Sequence, residues 1–360
     1  MWDILKIENF KCFQKQRINL SNLTVLVGSN GAGKSSVMQS ILLLRQLIDS
    51  PTANDVQLNG PFGLALGTDG SINNQLMESY GTKMSLRSNH SICSLQISST
   101  GDGDNLSARI SFRRVPRVKS GFFSDYFYFL SADRTGPRVS QSLASLSFVN
   151  TGIYGEHTAQ VLSDRYMKID ERRKHPNSES AFLLQQVNAW LDAILPGLTV
   201  KAEKDMKMQV AQVLIKNGVT DDFLTATNIG FGISYALPII VTGLVAKEGS
   251  YMLVENPEAH LHPAAQSAMG KFLAMLSSVG VRVVVETHSN HILDGIQIYA
   301  SQHKLPLDSV IIHNFEIQNE DISVSSITYN EQYSYGSWPK GFMDQTNMDY
   351  LEYYNAIHNK

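Results

Sequence analysis

Residues 23–35 read Leu23-Thr-Val-Leu-Val-Gly28-Ser-Asn-Gly-Ala-Gly33-Lys34-Ser35. An apolar strand leads here into a G-x-x-x-x-G-K-S loop, and the following residues, to about Ile48, have the spacing of a helix. A phosphate-binding loop requires this context, because its glycines let backbone N–H groups turn toward phosphates and the helix N-terminus adds partial positive charge. Lys34 is expected to reach the β- and γ-phosphate oxygens, and Ser35 to offer its hydroxyl to magnesium. A glycine-rich turn formed by chance is the weaker alternative, so the stretch predicts a nucleotide triphosphate site.

The composition excludes several classes of protein. The formal net charge of −3 over 360 residues gives no overall basic footprint for nucleic acid, although a local basic groove remains open. Cys12 and Cys93 are too few for a four-thiolate zinc site or a disulfide framework, so we expect a reduced, cytoplasmic protein. The N-terminus has no apolar signal core, and the longest apolar run, residues 236–246, is shorter than the roughly 20 residues that cross a bilayer. No membrane partner is expected.

A second group of strand ends carries acidic and histidine side chains. The run Tyr251-Met-Leu-Val-Glu-Asn-Pro-Glu258 is an apolar strand ending in carboxylates, where an acid can hold magnesium directly or through water. A helix is predicted from Pro263 to Ser278, and the next strand ends in Glu286-Thr-His-Ser289. This strand–helix–strand unit predicts parallel pairing with a right-handed crossover, and therefore an α/β fold.

The domain organisation is predicted to be discontinuous. Residues 1–150 and 210–330 are expected to form one nucleotide-binding domain. Helical spacing and many charges between them predict a helical insertion at 151–209. Residues 331–360 are assigned to a C-terminal tail.

The order of these motifs resembles that of the ABC-class ATPases of the SMC/RecF/OLD type. The runs Ile7-Glu-Asn-Phe-Lys-Cys-Phe13, Glu255-Asn-Pro-Glu-Ala-His-Leu-His-Pro263 and Glu286-Thr-His-Ser289 are particularly similar to small prokaryotic AAA family ATPases, often encoded beside nucleases or other effectors in phage-defence loci. The resemblance covers residues 1–50 and 225–295 well and touches 129–138 and 341–344. It implies an ABC-ATPase head, a P-loop NTPase fold with a mixed sheet flanked by helices.

The resemblance also implies roles for particular residues, with ATP and Mg²⁺ as the ligands. Glu255 stands where the family has its magnesium-linked acid, and His288 would contact the γ-phosphate. In the segment 228–235, Gly232 and Ser234 would complete the nucleotide site of a second subunit, while residues 259–262 would cross the dimer interface. The residues implied to bind phosphate and magnesium are Gly28, Ser29, Asn30, Gly31, Ala32, Gly33, Lys34, Ser35 and Ser36.

Two positions depart from the family pattern. Many relatives end the acidic strand in Asp-Glu, with the Glu activating water, but here Asn256 holds that position and cannot accept a proton as a base. Either Glu258 takes that role or hydrolysis is slow; a structural role for Glu258 is the alternative. Tyr235 stands where a glutamine is expected at the end of the 228–235 segment.

Other polar residues have both a functional and a structural interpretation. Arg134 either senses the γ-phosphate or a partner, or belongs to a surface turn with Gly-Pro, with the turn slightly favoured. His260, His262, His288 and His291 have spacings found in metallohydrolases, but the parallel-sheet context explains His288 without a transition metal. His262 is expected either to cap the following helix or to line an interface.

The sequence raises three functions from different classes. The first is an ATP-binding, slowly hydrolysing switch that dimerises around ATP and controls a separate effector, a nuclease or toxin of antiviral defence. The second is a RecF/SMC-like ATPase that binds DNA directly, which requires a basic surface. The third, a small-molecule kinase, would have no use for the 228–235 segment or for the Thr287-His288 pair.

Overall fold

The computed structural model describes residues 3–77, 81–98, 105–218, 222–228, 230–318, 321–335 and 345–358. The stretch 341–344, one of the places where the sequence resembles the AAA family, lies outside these ranges. Within them, every helix is too short or too polar to traverse a bilayer.

The strands are β1 Asp3–Phe10, β2 Phe13–Leu20, β3 Leu23–Gly28, β4 Asp55–Gln57, β5 Thr82–Ser88, β6 Ser91–Ser98, β7 Ser107–Arg114, β8 Phe127–Leu130, β9 Gln141–Ser142, β10 Thr199–Asp205, β11 Val210–Lys216, β12 Leu224–Thr225, β13 Tyr251–Glu255, β14 Arg282–Glu286, β15 Val310–Gln318 and β16 Asp321–Ile327. The helices are α1 Lys34–Asp49, α2 Thr158–Leu162, α3 Leu183–Ile194, α4 Phe231–Val245, α5 Pro263–Ser278, α6 Asn290–Gln302 and α7 Gln345–His358.

A mixed sheet carries the strand ends that the sequence singled out. Its order is β16-β15-β3-β14-β13-β8, with β16 antiparallel to β15 and the other neighbours parallel. Its strands β3, β13 and β14 are apolar and buried on both faces, as expected of parallel strands covered by helices. The carboxyl ends of β3, β13 and β14 meet at one edge, which confirms the predicted α/β fold and parallel pairing.

An antiparallel sheet, in the order β2-β1-β5-β6-β7-β4, packs on the other side of α1. This helix contacts β1, β5 and β6 of the antiparallel sheet as well as β3 of the mixed sheet. Val37, Ile41 and Leu44 of α1 are buried in one hydrophobic cluster with Leu86 of β5 and Val284 of β14. The helix that follows the glycine-rich loop is therefore held on both sides by sheet.

The segment 151–209, expected to be a helical insertion, is helical only in part. It contains α2 and α3, but its last strand, β10, pairs along its length with β11. The division at residue 210 therefore falls within a hairpin. The polar run Thr199-Val-Lys-Ala-Glu-Lys-Asp205 has little apolar alternation of its own, and its strand conformation depends on pairing that local patterns do not reveal. Trp190 and Leu191 of α3 join the same hydrophobic cluster as Val25 of β3.

Gly28 offers a direct test of how tightly the loop is attached to the sheet. It has φ +125°, and a Cβ built on it would lie 2.1 Å from the backbone oxygen of Phe315 in β15. We expect Gly28→Ala to lower the free energy of unfolding by about 2–4 kcal/mol, from overpacking and an unfavourable φ. Urea denaturation measures the change.

Gly31→Ala is the matched control. Gly31 also has a positive φ, +77°, but a Cβ there would meet nothing within 4 Å. Its expected cost is about 1–2 kcal/mol, from conformation alone. Equal losses in the two variants would contradict the proposed contact between the loop and β15.

Candidate nucleotide-binding site

The loop between β3 and α1 has the arrangement that the sequence predicts. Gly33, with φ 96°, precedes the first residue of α1, and Lys34 folds back over the loop. Its Nζ donates hydrogen bonds to the backbone oxygens of Gly28, at 2.9 Å, and Ser29, at 2.8 Å. Burial lowers the pKa of Lys34, while the nearby Glu286 opposes that change. The ammonium group is thus held at the loop by carbonyl oxygens, which a phosphate group can replace.

Glu286 is the carboxylate that contacts the phosphate-binding loop directly. Ser35 Oγ donates a hydrogen bond of 2.8 Å to Glu286 Oε1. The second oxygen, Oε2, is buried without a hydrogen-bond partner among the described residues. Burial, with the nearby charges of Glu255 and Glu258, raises the pKa of Glu286 to about 7, although the Ser35 hydrogen bond opposes this.

Glu255, which the sequence assigned to magnesium, stands one strand farther from the loop. β14 lies between β3 and β13, and Glu255 is the register partner of Glu286. Glu255 Oε2 accepts a hydrogen bond of 2.9 Å from the backbone N–H of Ala132, and burial raises the pKa of Glu255. Sequence reasoning missed Glu286 as a site residue. The signal that could have revealed it is that two successive buried strands both end in glutamate.

These oxygen atoms fit a magnesium ion. Mg²⁺ prefers hard oxygen ligands and is typically held by one or two carboxylates together with substrate phosphates. The hydroxyl of exposed Ser35 is hydrogen-bonded to one oxygen of Glu286, and the other oxygen of that carboxylate has no partner among the described residues. The charge of Glu255 is nearby. By contrast, no group of three or more His, Cys, Asp or Glu side chains within the described ranges could hold a metal ion by itself.

Glu258 is fixed by two hydrogen bonds to the end of β14. Its Oε2 accepts from Thr287 Oγ1 at 2.6 Å, and its Oε1 accepts from the backbone N–H of His288 at 2.8 Å. His288 is exposed, but its ring is partly shielded from water. This partial burial and the charge of Lys34 lower the pKa of His288, while Glu258 opposes the change. The structure therefore brings Glu258, His288 and Lys34 together around the loop.

The conformation of Asn256 gives a physical reason for asparagine at that position. Its φ is 44°, in the left-handed region, which asparagine adopts more readily than most residues. Its backbone N–H donates to the oxygen of Glu286 at 2.8 Å, and its own oxygen accepts from the N–H of Ala259. Asn256 is thus a turn residue that connects the ends of β13 and β14.

Arg134 is neither a surface residue nor free to reach a phosphate. Only 2% of it is exposed, and Nη1 donates to the backbone oxygens of Ser131, at 2.8 Å, and Glu255, at 2.7 Å. Nη2 donates to the oxygen of Asn256 at 2.6 Å. Burial lowers the pKa of Arg134 to about 10, so the side chain stays protonated at neutral pH. The surface-turn interpretation is wrong: Arg134 ties the end of β8 to the turn after β13.

The 228–235 segment opens α4 beside the loop that follows β13, and residue 229 lies outside the described ranges. A Cβ built on Gly232 would lie 2.8 Å from the backbone oxygen of His260. Tyr235 packs on the His260 ring, with centroids 4.5 Å apart, and its own ring lies 5.3 Å from the Arg134 guanidinium. Ser234 lines a small cavity with Thr135 and Pro238 rather than the phosphate-binding loop.

The loop 259–262 is exposed at its histidines. His260 has φ 60° and is exposed, while His262 precedes α5 and accepts a hydrogen bond from the backbone N–H of Ala264 at 3.4 Å. The capping interpretation of His262 is thus confirmed.

Comparisons with known proteins agree with this geometry. A family model described as "AAA domain, putative AbiEii toxin, Type IV TA system" matches residues 23–294. The chain belongs to this AAA family. The match spans the phosphate-binding loop, both acidic strand ends and the start of α6. Among curated proteins, no match was found.

Solved structures of SMC heads share the fold of this AAA protein. An Smc head domain with an extended coiled coil from Pyrococcus furiosus, bound to the C-terminal domain of ScpA, has a TM-score of 0.55 at 11% identity. That alignment covers 98% of this chain and 99% of that one. An SmcHead bound to the C-winged helix domain of ScpA has a TM-score of 0.53 at 13% identity, covering 91% and 97%. At such identities the likeness shows the fold alone: the chain has the fold of an SMC-type ATPase head.

The raised pKa of Glu286 predicts how stability depends on pH. The folded state holds this proton with a pKa of about 7, against an ordinary value of 4.5. Stability contributed by the protonated form is therefore lost as pH rises through this interval. We expect Glu286→Gln to raise the free energy of unfolding at pH 8 by on the order of 1–3 kcal/mol, and by less at pH 5.

Urea denaturation at both pH values, in buffer free of nucleotide and divalent cations, measures this difference. Glu331→Gln, at an exposed turn position, serves as the control and should change stability little at either pH. A gain in the Glu286→Gln variant that is the same at pH 5 and pH 8 would show that Glu286 does not titrate as described.

Proposed function

We propose that this AAA protein is an ATP-driven switch. In this proposal it binds ATP and magnesium at residues 28–36, forms a dimer around two ATP molecules, hydrolyses them slowly and thereby controls a separate effector protein. The observation that carries the proposal is the cluster at one sheet edge: Lys34 on the loop carbonyls, Ser35 on Glu286, and Glu258 fixed beside His288.

The loop backbone, Lys34 and Ser35 have different roles in the proposed binding of the triphosphate. Backbone N–H groups between Gly28 and Ser36 and the N-terminus of α1 would surround the phosphate oxygens. Lys34 would exchange its bonds to the loop carbonyls for bonds to the β- and γ-phosphates. Ser35, Glu286 and Glu255 would hold magnesium, which when bound neutralises charge on the phosphates.

Glu258 is the residue we assign as general base. The hydrogen bonds from Thr287 and His288 are donated to its carboxylate and fix its orientation, while Asn256 has no proton-accepting side chain. In hydrolysis, water attacks the γ-phosphorus, its proton passes to Glu258 and the bond to the β-phosphate oxygen breaks. His288, beside Lys34 and Glu258, would contact the γ-phosphate.

The position of α4 supports assembly of the site between two subunits. Gly232 and Ser234 pack near His260 and Thr135 and do not line their own phosphate-binding loop. Phe231 is exposed at the start of α4, as is His260 beside it. In a head-to-tail dimer, Gly232 and Ser234 would approach the ATP of the other subunit and make its closed state depend on the γ-phosphate.

The effector is proposed from the family and from the resemblance of the sequence. The family description names a putative AbiEii toxin and a type IV toxin–antitoxin system. Together with the similarity to ATPases of phage-defence loci, this supports a role in antiviral defence. That the dimer controls a separate toxin or nuclease is inferred from the resemblance, because such ATPases are often encoded beside effectors. The SMC heads of the same fold are bound to ScpA, which shows that such a head can carry a second protein.

Glu258→Gln tests the assignment of the base. We expect the rate of ATP hydrolysis to fall by about 10²–10⁴-fold, because a positioned base contributes that much, while ATP binding is retained. Steady-state phosphate release measures the rate, and equilibrium binding of a fluorescent ATP analogue measures affinity. Lys34→Ala is the comparison and should lose ATP binding itself. Normal hydrolysis by Glu258→Gln would exclude Glu258 as the base, and full activity of Lys34→Ala would exclude the site.

Ser234→Arg tests the dimer. In the Glu258→Gln background, which retains ATP, the added side chain should keep the protein monomeric without weakening ATP binding to the monomer. Ser301→Arg, on the exposed face of α6, is the control and should dimerise normally. Size-exclusion chromatography with and without ATP gives the result. Dimerisation by Ser234→Arg equal to that of the control would count against an interface at α4.

A further inference from the structure

The antiparallel sheet presents a basic surface to solvent. Its inner face is buried, as at Leu5, Ile18 and Leu86, while the alternating side chains point away from α1. The outward side chains include six exposed cations on strands β1, β2, β5 and β7, with a single carboxylate among them. Arg109 of β7 also faces outward, but it lies beyond a shift in register and is the register partner of Asp55 on β4. We call this surface the basic sheet face; its cations are Lys6, Lys15, Arg17, Lys83, Arg87 and Arg114, and its carboxylate is Glu8.

Strand register arranges these side chains in transverse rows. One row runs across five strands in the order Arg17, Lys6, Ser85, Ser94 and Arg114. Neighbouring strands lie about 4.8 Å apart, so this row extends over roughly 19 Å. It contains three cations and two hydroxyl groups and no carboxylate.

A second row lies beside the first and ends in an aromatic ring. Its order is Lys15, Glu8, Lys83, Gln96 and Phe112. Phe112 is 54% exposed, although it stands in a sheet whose other large apolar side chains mostly point inward. A groove of about 550 Å³ crosses both rows.

Most of this positive charge is not neutralised within the molecule. Among the described residues, Lys83 is the one cation of the basic sheet face with a carboxylate partner, Glu8, at 3.8 Å. The whole chain has a formal net charge of −3, so the cations are concentrated here against the overall balance. A surface of this kind attracts a polyanion such as a nucleic acid. Each phosphate that a protein cation neutralises releases counterions from the polyanion, which favours binding.

We propose that the basic sheet face binds single-stranded nucleic acid. Its cations would contact successive phosphates along the groove, and Ser85, Ser94 and Gln96 would donate hydrogen bonds between them. Phe112 favours a single strand over a duplex, because only unstacked bases expose the faces on which an aromatic ring can stack. This inference does not depend on the proposed ATP switch, since none of these residues belongs to the phosphate-binding loop.

Binding of a fluorescein-labelled 20-nucleotide single strand, followed by fluorescence anisotropy at 50 and 200 mM KCl, tests the proposal on the full chain without ATP. With about four phosphates neutralised, the slope of log affinity against log salt should be about −3. The triple variant Lys6→Gln, Arg17→Gln, Arg114→Gln should weaken binding at least tenfold at 50 mM and reduce that slope by about 2. Phe112→Ala should weaken binding about tenfold and leave the slope unchanged.

The matched control removes the same charge elsewhere. The triple variant Arg165→Gln, Lys204→Gln, Lys207→Gln changes exposed positions that lie outside the basic sheet face. It should bind the oligonucleotide like the unmodified protein. Lys34→Ala should also retain binding, so failure of the ATP site would not be mistaken for failure of this surface. The far-ultraviolet circular dichroism of each variant verifies that it is folded.

Three results would overturn the proposal. The first is equal binding by the two triple variants. The second is a duplex of the same sequence bound as tightly as the single strand, with no effect of Phe112→Ala. The third is no binding to the oligonucleotide together with charge-dependent binding to phosphatidylserine vesicles, which would make the partner a membrane surface.

Discussion

The parallel pairing of β14 with β3 on one side and β13 on the other decides which side chains meet at the nucleotide edge. Through this pairing Glu286 lies beside the hydroxyl of Ser35. Glu255 lies next to Glu286 on β13, one strand farther from the loop. The residues after β14, Thr287 and His288, then bind Glu258. A strand inserted between the loop strand and the acidic strand thus supplies both a carboxylate and the groups that orient another.

Gathering carboxylates in a partly buried space has an electrostatic cost, which the raised pKa of Glu286 reflects. The surrounding structure offsets part of that cost with donors rather than with paired cations. Ser35, Thr287 and the N–H groups of Ala132 and His288 each donate to one of these carboxylates. Arg134 adds a buried positive charge behind the turn, where it binds backbone oxygens and not the carboxylates themselves. A bound cation would neutralise the remaining negative charge of these carboxylates.

Features encoded within a few consecutive residues could be predicted from the sequence, and features that depend on strand order could not. The loop 28–36, α1 and the acidic ends of β13 and β14 all follow from local patterns. The contact between Ser35 and Glu286 depends on β14 being the neighbour of β3, which no local pattern states. The local sequence predicts a surface position for Arg134 because Gly-Pro sequences usually mark exposed turns, whereas carbonyl groups at the ends of other strands make its burial possible.

The basic sheet face and the strand β10 could not be predicted for the same reason, because both depend on which strands are neighbours. The cations of that face lie on four strands spread over residues 6–114, so they are far apart in sequence and the overall charge conceals them. β10 is polar and acquires its conformation from β11. The roles assigned to Glu258, Glu255, His288, Gly232 and Ser234 in the ATP reaction and the dimer stay predictions.

The position of α1 between the two sheets bears on how the molecule unfolds. Buried residues of this helix belong to a hydrophobic cluster that includes both Leu86 of the antiparallel sheet and Val284 of the mixed sheet. If either sheet separates from α1, part of this shared cluster is exposed to water. The packing of the remaining sheet against α1 is then weakened as well. The two sheets therefore share one cooperative unit in thermal or chemical denaturation, and the phosphate-binding loop, joined to the first turn of α1, loses its shape in the same transition.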